Sequence, residues 1–540
     1  MVDKILAEYG AVVLDRNAKR LVVQVDDKQL RPLAEKLFES GFYYANGVGV
    51  DERGLGHDFA MYHVFASEKD KLYLVVKVST SNLKLPSITP VIPGSNWAER
   101  EAMDMLGLEF EGHPEPERLI LPDDWPKGVY PLRKEFDYNE RPEFVERKPE
   151  STPQRTDVVQ LPLGPYHPAL HEPEYFEIHV DGEVITDAKY RGFHIHRGME
   201  KLAEGRLTLN QVPFLAERIC GICGFTHSIA YCQAVADAAG LDWPERAKYI
   251  GVILLEIERL HSHLLWVGVV FHLLGFDSGF MHMWRIREKV MDIAEALTGN
   301  RKTYGLVLIG GMRRDIDESR KNWVLKTLTE LREETERVSK DIFGMKELIN
   351  RIKGIGVLPK EDARALGVLG PVARASGIDT DVRRDHPYLA YDKLDFKVPV
   401  YPEGDVLARL LVRYDEIIES FRLLEQALSE MPQGDVMIED YTIPSGRVGL
   451  GATEAPRGED VHFVITGVES KVYRWHPRAP TYNNLPSVPI MLRGNNIADA
   501  PIIIASIDPC FSCTDHVAIV RKGKVIWKGP LGEGVKQVGR

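Results

Sequence analysis

Residues 1–80 alternate short apolar runs with one amphipathic stretch. Apolar residues dominate at 11–14, 21–25 and 71–78, and such runs of branched side chains are typical of strands. Residues 29–40 instead repeat their apolar positions at helical spacing. The pattern predicts a small α+β domain over residues 1–145, which closes with a segment rich in Pro, Trp and charge.

A second pattern begins beyond a polar, proline-containing stretch at residues 146–156, which suits a linker. Residues 175–190 alternate like a hairpin, and from Pro244 onward the spacing of apolar positions becomes helical. Residues 250–265 are apolar around most of the circumference, as is typical of a buried helix. Long amphipathic helices are predicted at two further places, residues 315–348 and 405–430.

The expected fold class is therefore α+β, with a small N-terminal α/β domain and a larger, mainly helical domain. We expect the larger domain to cover residues 157–516, with short flanking strands. Residues 517–540 form a basic, alternating extension after it.

Composition narrows the classes of function. The net charge is −12 and the pI is about 5.8, so no nucleic-acid partner is expected. Residues 1–10 lack the basic start and apolar core of a secretion signal, and the most apolar stretch, 264–276, is too short to span a bilayer. We expect a soluble polypeptide on the cytoplasmic side of a membrane, attached to it peripherally through partner subunits.

The five cysteines are few for 540 residues, which favours a reducing compartment without disulfides. Four of them form two Cys-x-x-Cys pairs, Cys220/Cys223 and Cys510/Cys513. The fifth, Cys232, lies in an apolar stretch and is predicted to be a core thiol.

A Cys-x-x-Cys turn lets two thiolates converge on one metal, and four thiolates suit Zn²⁺, Ni²⁺ or an iron–sulfur cluster. Structural zinc ribbons place their pairs within about 20 residues of each other. Here residues 224–509 intervene, and a site that joins distant segments of a large domain is more often functional. The residues alone favour a catalytic or redox metal, and they leave structural zinc and a thioredoxin-like dithiol open.

Four sequence elements together resemble the signatures of one family, the large subunits of nickel–iron hydrogenases. They are Arg197-Gly-Met-Glu200, Arg218-Ile-Cys-Gly-Ile-Cys-Gly-Phe-Thr-His227, Pro456-Arg-Gly-Glu-Asp-Val-His462 and Asp508-Pro-Cys-Phe-Ser-Cys-Thr-Asp-His516. The elements occur in the family's order. The resemblance implies a hydrogenase, which interconverts H₂ with protons and electrons.

A second resemblance narrows the subclass. Residues 97–114 and 121–134 resemble a peripheral-arm subunit of respiratory complex I, and residues 164–411 resemble the quinone-site subunit of that enzyme. This fusion is the pattern of the group 4, formate-hydrogenlyase-type large subunits. The quinone-site subunits have lost the four cysteines that this chain keeps, so hydrogen chemistry is favoured over quinone chemistry.

The resemblance implies roles for the cysteines. Cys220 and Cys510 correspond to terminal nickel ligands, whereas Cys223 and Cys513 correspond to bridges between nickel and an iron that carries CO and cyanide. His227 is expected either to donate a hydrogen bond near a bridging cysteine or to be a structural histidine.

The resemblance also implies catalytic roles. Arg457 is expected over the open side of the metals, where a permanent cation stabilises developing negative charge. Asp508 is expected either to pair with Arg457 or to form a hydrogen bond with the site. A carboxylate on the loop before the first strands is expected to carry protons. We assign that role to Glu172, with His171 and Glu174 as rivals.

Glu200 and His516 match the family's ligands for an additional Mg²⁺ or Fe²⁺ ion. In the family, a maturation endopeptidase removes the tail that follows this histidine. We therefore expect residues 517–540 to be a propeptide.

Partners follow from the same reading. No cysteines remain for an iron–sulfur relay, so this chain is expected to hold no such cluster and to pass electrons through an iron–sulfur small subunit. The complex-I resemblance implies a ferredoxin-like subunit and membrane-arm subunits as well. Possible docking residues in the first domain are Glu99, Arg100, Asp123 and Arg133.

Two alternatives remain open. The first is a complex-I-like quinone-reaction subunit with vestigial cysteines, and the second is a zinc-stabilised scaffold. The metal content would separate both from a hydrogenase.

Overall fold

The computed structural model describes residues 2–137, 139–140, 142–143, 159–167, 170, 172–194, 196–302 and 305–514. Four features predicted from the sequence therefore lie outside the described residues: the linker at 146–156, His171, His516 and the extension at 517–540.

The N-terminal part is built on a five-stranded sheet of strand order β1-β2-β5-β4-β3. Its elements are α1 (Val2–Glu8), β1 (Val12–Arg16), β2 (Arg20–Gln24), α2 (Asp27–Glu39), β3 (Tyr43–Asp51), β4 (Phe59–Ser67), β5 (Leu72–Thr80), β6 (Lys84–Pro86), α3 (Asn96–Leu106) and β7 (Glu109–Glu111). β1, β2, α2 and β5 confirm the predicted runs within two residues at each end. β3 and β4 complete the sheet.

Strand β4 is buried along its whole length because the sheet is covered on both faces. Ala60, Tyr62, Val64 and Ala66 pack with a second sheet, whereas the intervening apolar residues pack toward the helices. A strand covered on both sides shows no apolar–polar alternation.

The larger part is mainly helical. Its elements are β8 (Val159–Leu163), β9 (Tyr175–Asp181), β10 (Val184–Arg191), α4 (Met199–Arg206), α5 (Val212–Ala216), α6 (Gly224–Ala239), α7 (Glu245–Leu273), α8 (Asp277–Thr298), β11 (Val307–Leu308), β12 (Gly311–Met312), α9 (Glu318–Phe343), α10 (Lys346–Ile352), α11 (Lys360–Ala365), α12 (Gly370–Ala375), α13 (Val382–Asp385), α14 (Val406–Glu430), β13 (Val448–Ala455), β14 (Gly458–Thr466), β15 (Val472–Arg478), α15 (Pro480–Asn484), α16 (Val488–Leu492), α17 (Ala500–Ser506) and α18 (Phe511–Thr514). The mixture of helices with several small sheets agrees with the α+β class.

Two predicted helices differ in detail. The one expected at 315–348 ends at Phe343, because Gly344 interrupts it before the short α10. The one expected at 405–430 matches α14, whose first turn is capped by Asp405. No helix within the described residues is long and apolar enough to cross a membrane.

Strands β13, β14 and β15 form the sheet that packs against the N-terminal one. On β14 the odd-numbered residues Val461, Phe463 and Ile465 join that packing. Because successive side chains of a strand point to opposite faces, Asp460 and His462 point away from the N-terminal sheet. This alternation decides which side chains reach the site.

Helix α7 confirms the predicted buried helix, but its interior face is not wholly apolar. It carries buried charged residues that form ion pairs with buried charged residues of other elements. We call this group the ionic cluster. The members are Glu256, Arg259, His263, Arg374, Asp381, Arg383, Glu416 and Glu454.

Arg374 is the centre of this cluster. Its guanidinium donates to Glu416 over 2.7 Å and to Glu454 over 2.9 Å. The other Glu416 oxygen accepts from Arg259 over 3.0 Å and from His263 over 2.8 Å. Buried charges need such partners because their desolvation is otherwise uncompensated.

Glu99 is not available for docking, contrary to the prediction. Its carboxylate is fully buried and accepts hydrogen bonds from Ser87, Ile88 and Thr89. The residue holds its own domain together. Asp123 is exposed and forms an ion pair with Arg191.

We predict that Arg374→Met lowers the free energy of unfolding by about 3–5 kcal/mol, because it removes a cation that two buried carboxylates share. Urea titration followed by circular dichroism measures this. Arg332→Met is the control: its ion pair with Glu336 is exposed, so the expected change is below about 1 kcal/mol. Equal effects of the two substitutions would contradict the prediction.

Candidate metal centre

The first cysteine pair lies in a turn that ends at the start of α6. The amides of Ile222 and Cys223 donate to the Cys220 sulfur over 3.2 and 3.4 Å. Glu258 of α7 accepts from the amides of Phe225 and Thr226, both over 2.9 Å, and so caps the first turn of α6. These contacts fix the direction in which both sulfurs point.

The same helix contacts the turn itself. Nε2 of His261 lies 3.0 Å from the carbonyl oxygen of Ile222, to which it donates. Burial lowers the pKa of His261, so the imidazole is neutral and its other nitrogen carries no second proton.

The second cysteine pair follows α17. The indole of Trp266, on α7, donates to the Ala505 carbonyl oxygen over 2.7 Å and holds the end of α17. Asp508 then adopts a left-handed backbone conformation with φ of 54°, which turns the chain into α18. The Cys510 amide donates to the Thr481 hydroxyl over 3.2 Å.

The four sulfurs converge although the pairs are far apart in sequence. Sγ of Cys220 lies 3.1 Å from that of Cys510, and Sγ of Cys223 lies 3.8 Å from that of Cys513. Cys510 and Cys513 are 3.1 Å apart, and all four side chains are buried. Buried thiols that face one another form a soft donor set that fits nickel and iron.

The pKa values of these thiols depend on one another. Hydrogen bonds from Cys223, Cys510 and Cys513 hold the pKa of the Cys220 thiol well below its ordinary value. The contact with Cys220 raises the pKa of Cys223 in return, and burial raises that of Cys513. A metal cation stabilises the thiolate form of every ligand, so binding here releases protons.

Arg457 occupies the turn between β13 and β14 and points at the second cysteine segment. Its guanidinium donates to the carbonyl oxygen and to the carboxylate of Asp508, each over 2.7 Å, and to the hydroxyl of Ser262 over 3.2 Å. Burial raises the pKa of Asp508 to about 6, although Arg457 opposes this. The predicted pairing of these two residues is present in the geometry.

His227 contacts the cluster from the other side. Its Nε2 lies 3.5 Å from Sγ of Cys513, and its Nδ1 lies 3.0 Å from the Asp460 carboxylate. Burial lowers the pKa of His227, but Asp460 more than offsets this, so the pKa lies above its ordinary value. With Nδ1 facing Asp460, Nε2 is the nitrogen of this imidazole that faces the sulfur.

Asp460 and His462 were not given roles from the sequence. Trp475 donates from its indole to Nδ1 of His462 over 3.1 Å, so the proton of neutral His462 lies on Nε2, 3.4 Å from Asp460. Asp460 thus lies between two histidines, which hold its pKa below the ordinary value against the effect of burial. The alternation of side chains along β14 could have identified Asp460 from the sequence, because it places Asp460 and His462 on the same face of the strand.

Glu172 lies at the second cysteine pair. Its carboxylate accepts hydrogen bonds from the amide of Ser512, over 2.9 Å, and from the Ser512 hydroxyl. Ser512 stands between Cys510 and Cys513. The rival Glu174 is buried, and its backbone amide donates to the Pro165 carbonyl oxygen over 3.1 Å.

Glu200 is ion-paired with Arg474 and lies 3.0 Å from Nδ1 of His476, which is also 3.4 Å from Glu101. Burial raises the pKa of Glu200, but Arg474 and His476 hold it well below the ordinary value. The carboxylate is thus ionised, as a metal ligand must be, but the Arg474 cation occupies one of its oxygens. The predicted partner His516 lies outside the described residues.

Family models match three parts of the chain. A model described as nickel-dependent hydrogenase matches residues 197–278. Two models of the respiratory-chain NADH dehydrogenase match elsewhere: that of the 30 Kd subunit at 23–142, and that of the 49 Kd subunit at 274–448 and 437–516.

Known relatives span nearly the whole chain. Formate hydrogenlyase subunit 5 of Escherichia coli (strain K12) is 44% identical over 536 residues, which are 96% of this chain and 94% of the relative. Hydrogenase-4 component G of the same strain is 45% identical over 479 residues, 87% of this chain and 83% of the relative. A chain in the solved structure of the membrane-bound sulfane sulfur reductase, an archaeal respiratory membrane complex, is 32% identical with a TM-score of 0.64, covering 67% of this chain and 100% of that one.

The helical domain and its four convergent sulfurs define a large subunit of the nickel–iron hydrogenase class. With its fused N-terminal domain, the chain belongs to the formate-hydrogenlyase-type large subunits of that class, and it is an oxidoreductase that acts on H₂. This confirms the family that the sequence motifs predicted.

We predict that Cys220→Ala abolishes nickel binding in the purified, matured protein, because one of four ligands is lost. Cys232→Ala is the control: this buried thiol lies in α6 and should leave the nickel content unchanged. Elemental analysis by mass spectrometry measures both. Full nickel occupancy in the Cys220 variant would exclude the cysteine as a ligand.

Proposed function

We propose that this chain is the catalytic large subunit of a multisubunit hydrogenase, in which Cys220, Cys223, Cys510 and Cys513 bind a nickel–iron centre. The observation that carries the proposal is the convergence of four buried sulfurs from two segments joined only by the fold. When bound, the centre supplies the electron exchange of the reaction H₂ ⇌ 2 H⁺ + 2 e⁻. The chain's own residues supply ligation, charge and proton transfer.

Arg457 places a permanent positive charge beside the sulfurs. Its two hydrogen bonds to Asp508 and the one to Ser262 fix the guanidinium plane, and burial keeps water from screening the charge. We propose that this charge stabilises negative charge that develops at the site during turnover.

Glu172 is the proposed proton carrier. Its contact with Ser512 brings it to the first turn of α18, between two sulfurs, and its side chain retains partial access to solvent. A carboxylate in this position can accept a proton from the site and release it outward.

His227 and Asp460 act on the opposite side. Asp460 orients the His227 imidazole, and its Nε2–H donates to the Cys513 sulfur. A hydrogen bond to a thiolate ligand withdraws electron density from it, so this pair is proposed to tune the metal centre.

Further cofactors and partners belong to the proposal through the family. They are CO and cyanide on the iron, a Mg²⁺ or Fe²⁺ ion at Glu200 and His516, an iron–sulfur small subunit, a ferredoxin-like subunit, membrane-arm subunits and a maturation endopeptidase. The chain is proposed to lie peripherally on the cytoplasmic side of the membrane. The endopeptidase is proposed to remove residues 517–540 after the metals are inserted.

The quinone-reaction reading remains the second candidate, because the 49 Kd family model matches a large part of the chain. A quinone site needs no thiolates, so selection for that function alone gives no reason for four cysteines to converge.

One preparation tests the proposal. The chain, coexpressed with its maturation proteins and partner subunits, should contain nickel, and the assembled complex should evolve H₂ from reduced methyl viologen. Iron should exceed nickel in that complex, because the partner subunits carry iron–sulfur clusters. Its intact mass should correspond to a chain that ends at His516. Zinc in place of nickel would support a scaffold, and absence of both nickel and H₂ evolution would leave the quinone reading.

We predict that Glu172→Gln lowers the rate of H₂ evolution by about 10²–10⁴-fold, because the amide keeps the contact with the Ser512 amide but cannot carry a proton. Glu172→Asp should recover part of the rate. The control is Glu177→Gln, a β9 carboxylate paired with His179, which should behave like the unchanged protein. Gas chromatography of H₂ measures the rates, and a fully active Gln variant would contradict the assignment.

A further inference from the structure

The turn that carries Arg457 lies between the two parts of the molecule. β13 precedes it and β14 follows it, and β14 packs against the N-terminal sheet. The last residues of β13 are held by the large domain itself: Arg259 donates to the Glu454 carbonyl oxygen over 2.6 Å, and Arg374 binds its carboxylate. The first residues of β14 are held differently.

Glu459 is the second residue after Arg457, and its side chain binds the N-terminal domain. The carboxylate accepts hydrogen bonds from the hydroxyl groups of Tyr73, over 2.7 Å, and Tyr43, over 3.1 Å. Arg478 donates to its other oxygen over 2.8 Å. The carboxylate is buried, so these donors replace its hydration, and hydrogen bonds to a buried charge are among the strong ones.

The register of the N-terminal sheet explains why two tyrosines reach one carboxylate. Tyr43 on β3 pairs with Ala66 on β4, and Ala66 pairs with Tyr73 on β5. The three residues thus lie side by side on one face, with the tyrosine backbones about 10 Å apart. The small Ala66 between them leaves space for the Glu459 carboxylate. Burial raises the pKa of both phenols, so they remain protonated donors.

Gly458 and the backbone of Arg457, which join Glu459 to the guanidinium, have little conformational freedom. Gly458 has φ of 126°, a conformation that favours glycine, and a Cβ at this position would lie 2.7 Å from the Gly370 nitrogen. The Arg457 carbonyl oxygen also accepts from the Asn484 amide. A displacement of Glu459 therefore passes along the chain to Arg457 instead of being absorbed by the turn.

We propose that Tyr43 and Tyr73 are positioning residues: through Glu459, the N-terminal domain sets the position of Arg457 at the metal centre. The role of Arg457 rests on the proposed function, but the mechanical link does not. The domain thereby contributes to the chemistry of a site to which it supplies no ligand among the described residues. A role limited to joining the two domains is the competing explanation.

The double variant Tyr43→Phe/Tyr73→Phe tests this, since it removes both donors and keeps both rings. Tyr44→Phe is the matched control: it is a buried tyrosine of the same strand β3, but its hydroxyl lies 3.1 Å from His63 within the N-terminal domain. If the double variant does not fold, Tyr73→Phe alone, which loses the shorter bond, serves with the same measurements.

Hydrogen–deuterium exchange of the full chain, measured before metal insertion, is the first readout. The amides of residue 455 and residues 457–460 should exchange about tenfold faster in the double variant and remain unchanged in the Tyr44 variant. In the matured complex, kcat for H₂ evolution should fall about tenfold or more, with the KM for the electron donor unchanged.

Unchanged exchange at 455–460 in a folded double variant overturns the proposal, as does an equal change in the control. Faster exchange spread over the whole N-terminal domain, without a loss in kcat, assigns the tyrosines to domain joining only. If the unchanged protein evolves no H₂, the proposed function fails, while the exchange data still decide whether the tyrosines position the Arg457 turn.

Discussion

Helix α7 is the element on which the site depends, because its buried polar side chains reach both cysteine segments and the turn that carries Arg457. Glu258 and His261 bind the first cysteine turn, Ser262 binds Arg457, and Trp266 binds the chain before the second cysteine pair. A helix rises about 1.5 Å per residue and is stiff, so the geometry of this one helix fixes the distances among these contacts.

This arrangement is costly to alter. Each polar group buried on α7 has lost its hydration and depends on its partner, so removing either one leaves an uncompensated group in the interior. Arg259 shows how closely the parts are linked, since it binds both the ionic cluster through Glu416 and the strand that leads to Arg457. The stability of the domain and the geometry of its site therefore rest on the same contacts.

Much of this molecule could be predicted from its sequence. The cysteine pairs, the Arg457–Asp508 pairing and the buried helix at 250–265 follow from spacing and motifs, and the structure places those residues as expected. Strand β4 was harder, because burial on both faces removes the alternation by which strands are recognised. Glu99 could not be assigned correctly either, since a charged residue is ordinarily exposed and only the fold reveals three donors around it. Glu459 and Asp460 are adjacent carboxylates, so their side chains point to opposite faces of β14. Their different roles become visible once the surroundings of the two faces are known.

That alternation limits how the chain can change over evolutionary time. Substitutions on one face of β14 alter the contact with the N-terminal domain, and substitutions on the other alter the surroundings of His227, so the two faces can diverge independently. A single-residue insertion or deletion at the start of the strand is different, because it exchanges the faces of every residue after it. It would turn Asp460 toward two tyrosines and Glu459 toward a histidine. Lineages that keep the site must therefore keep the register of this strand as well as the residues on it that contact the two tyrosines and His227.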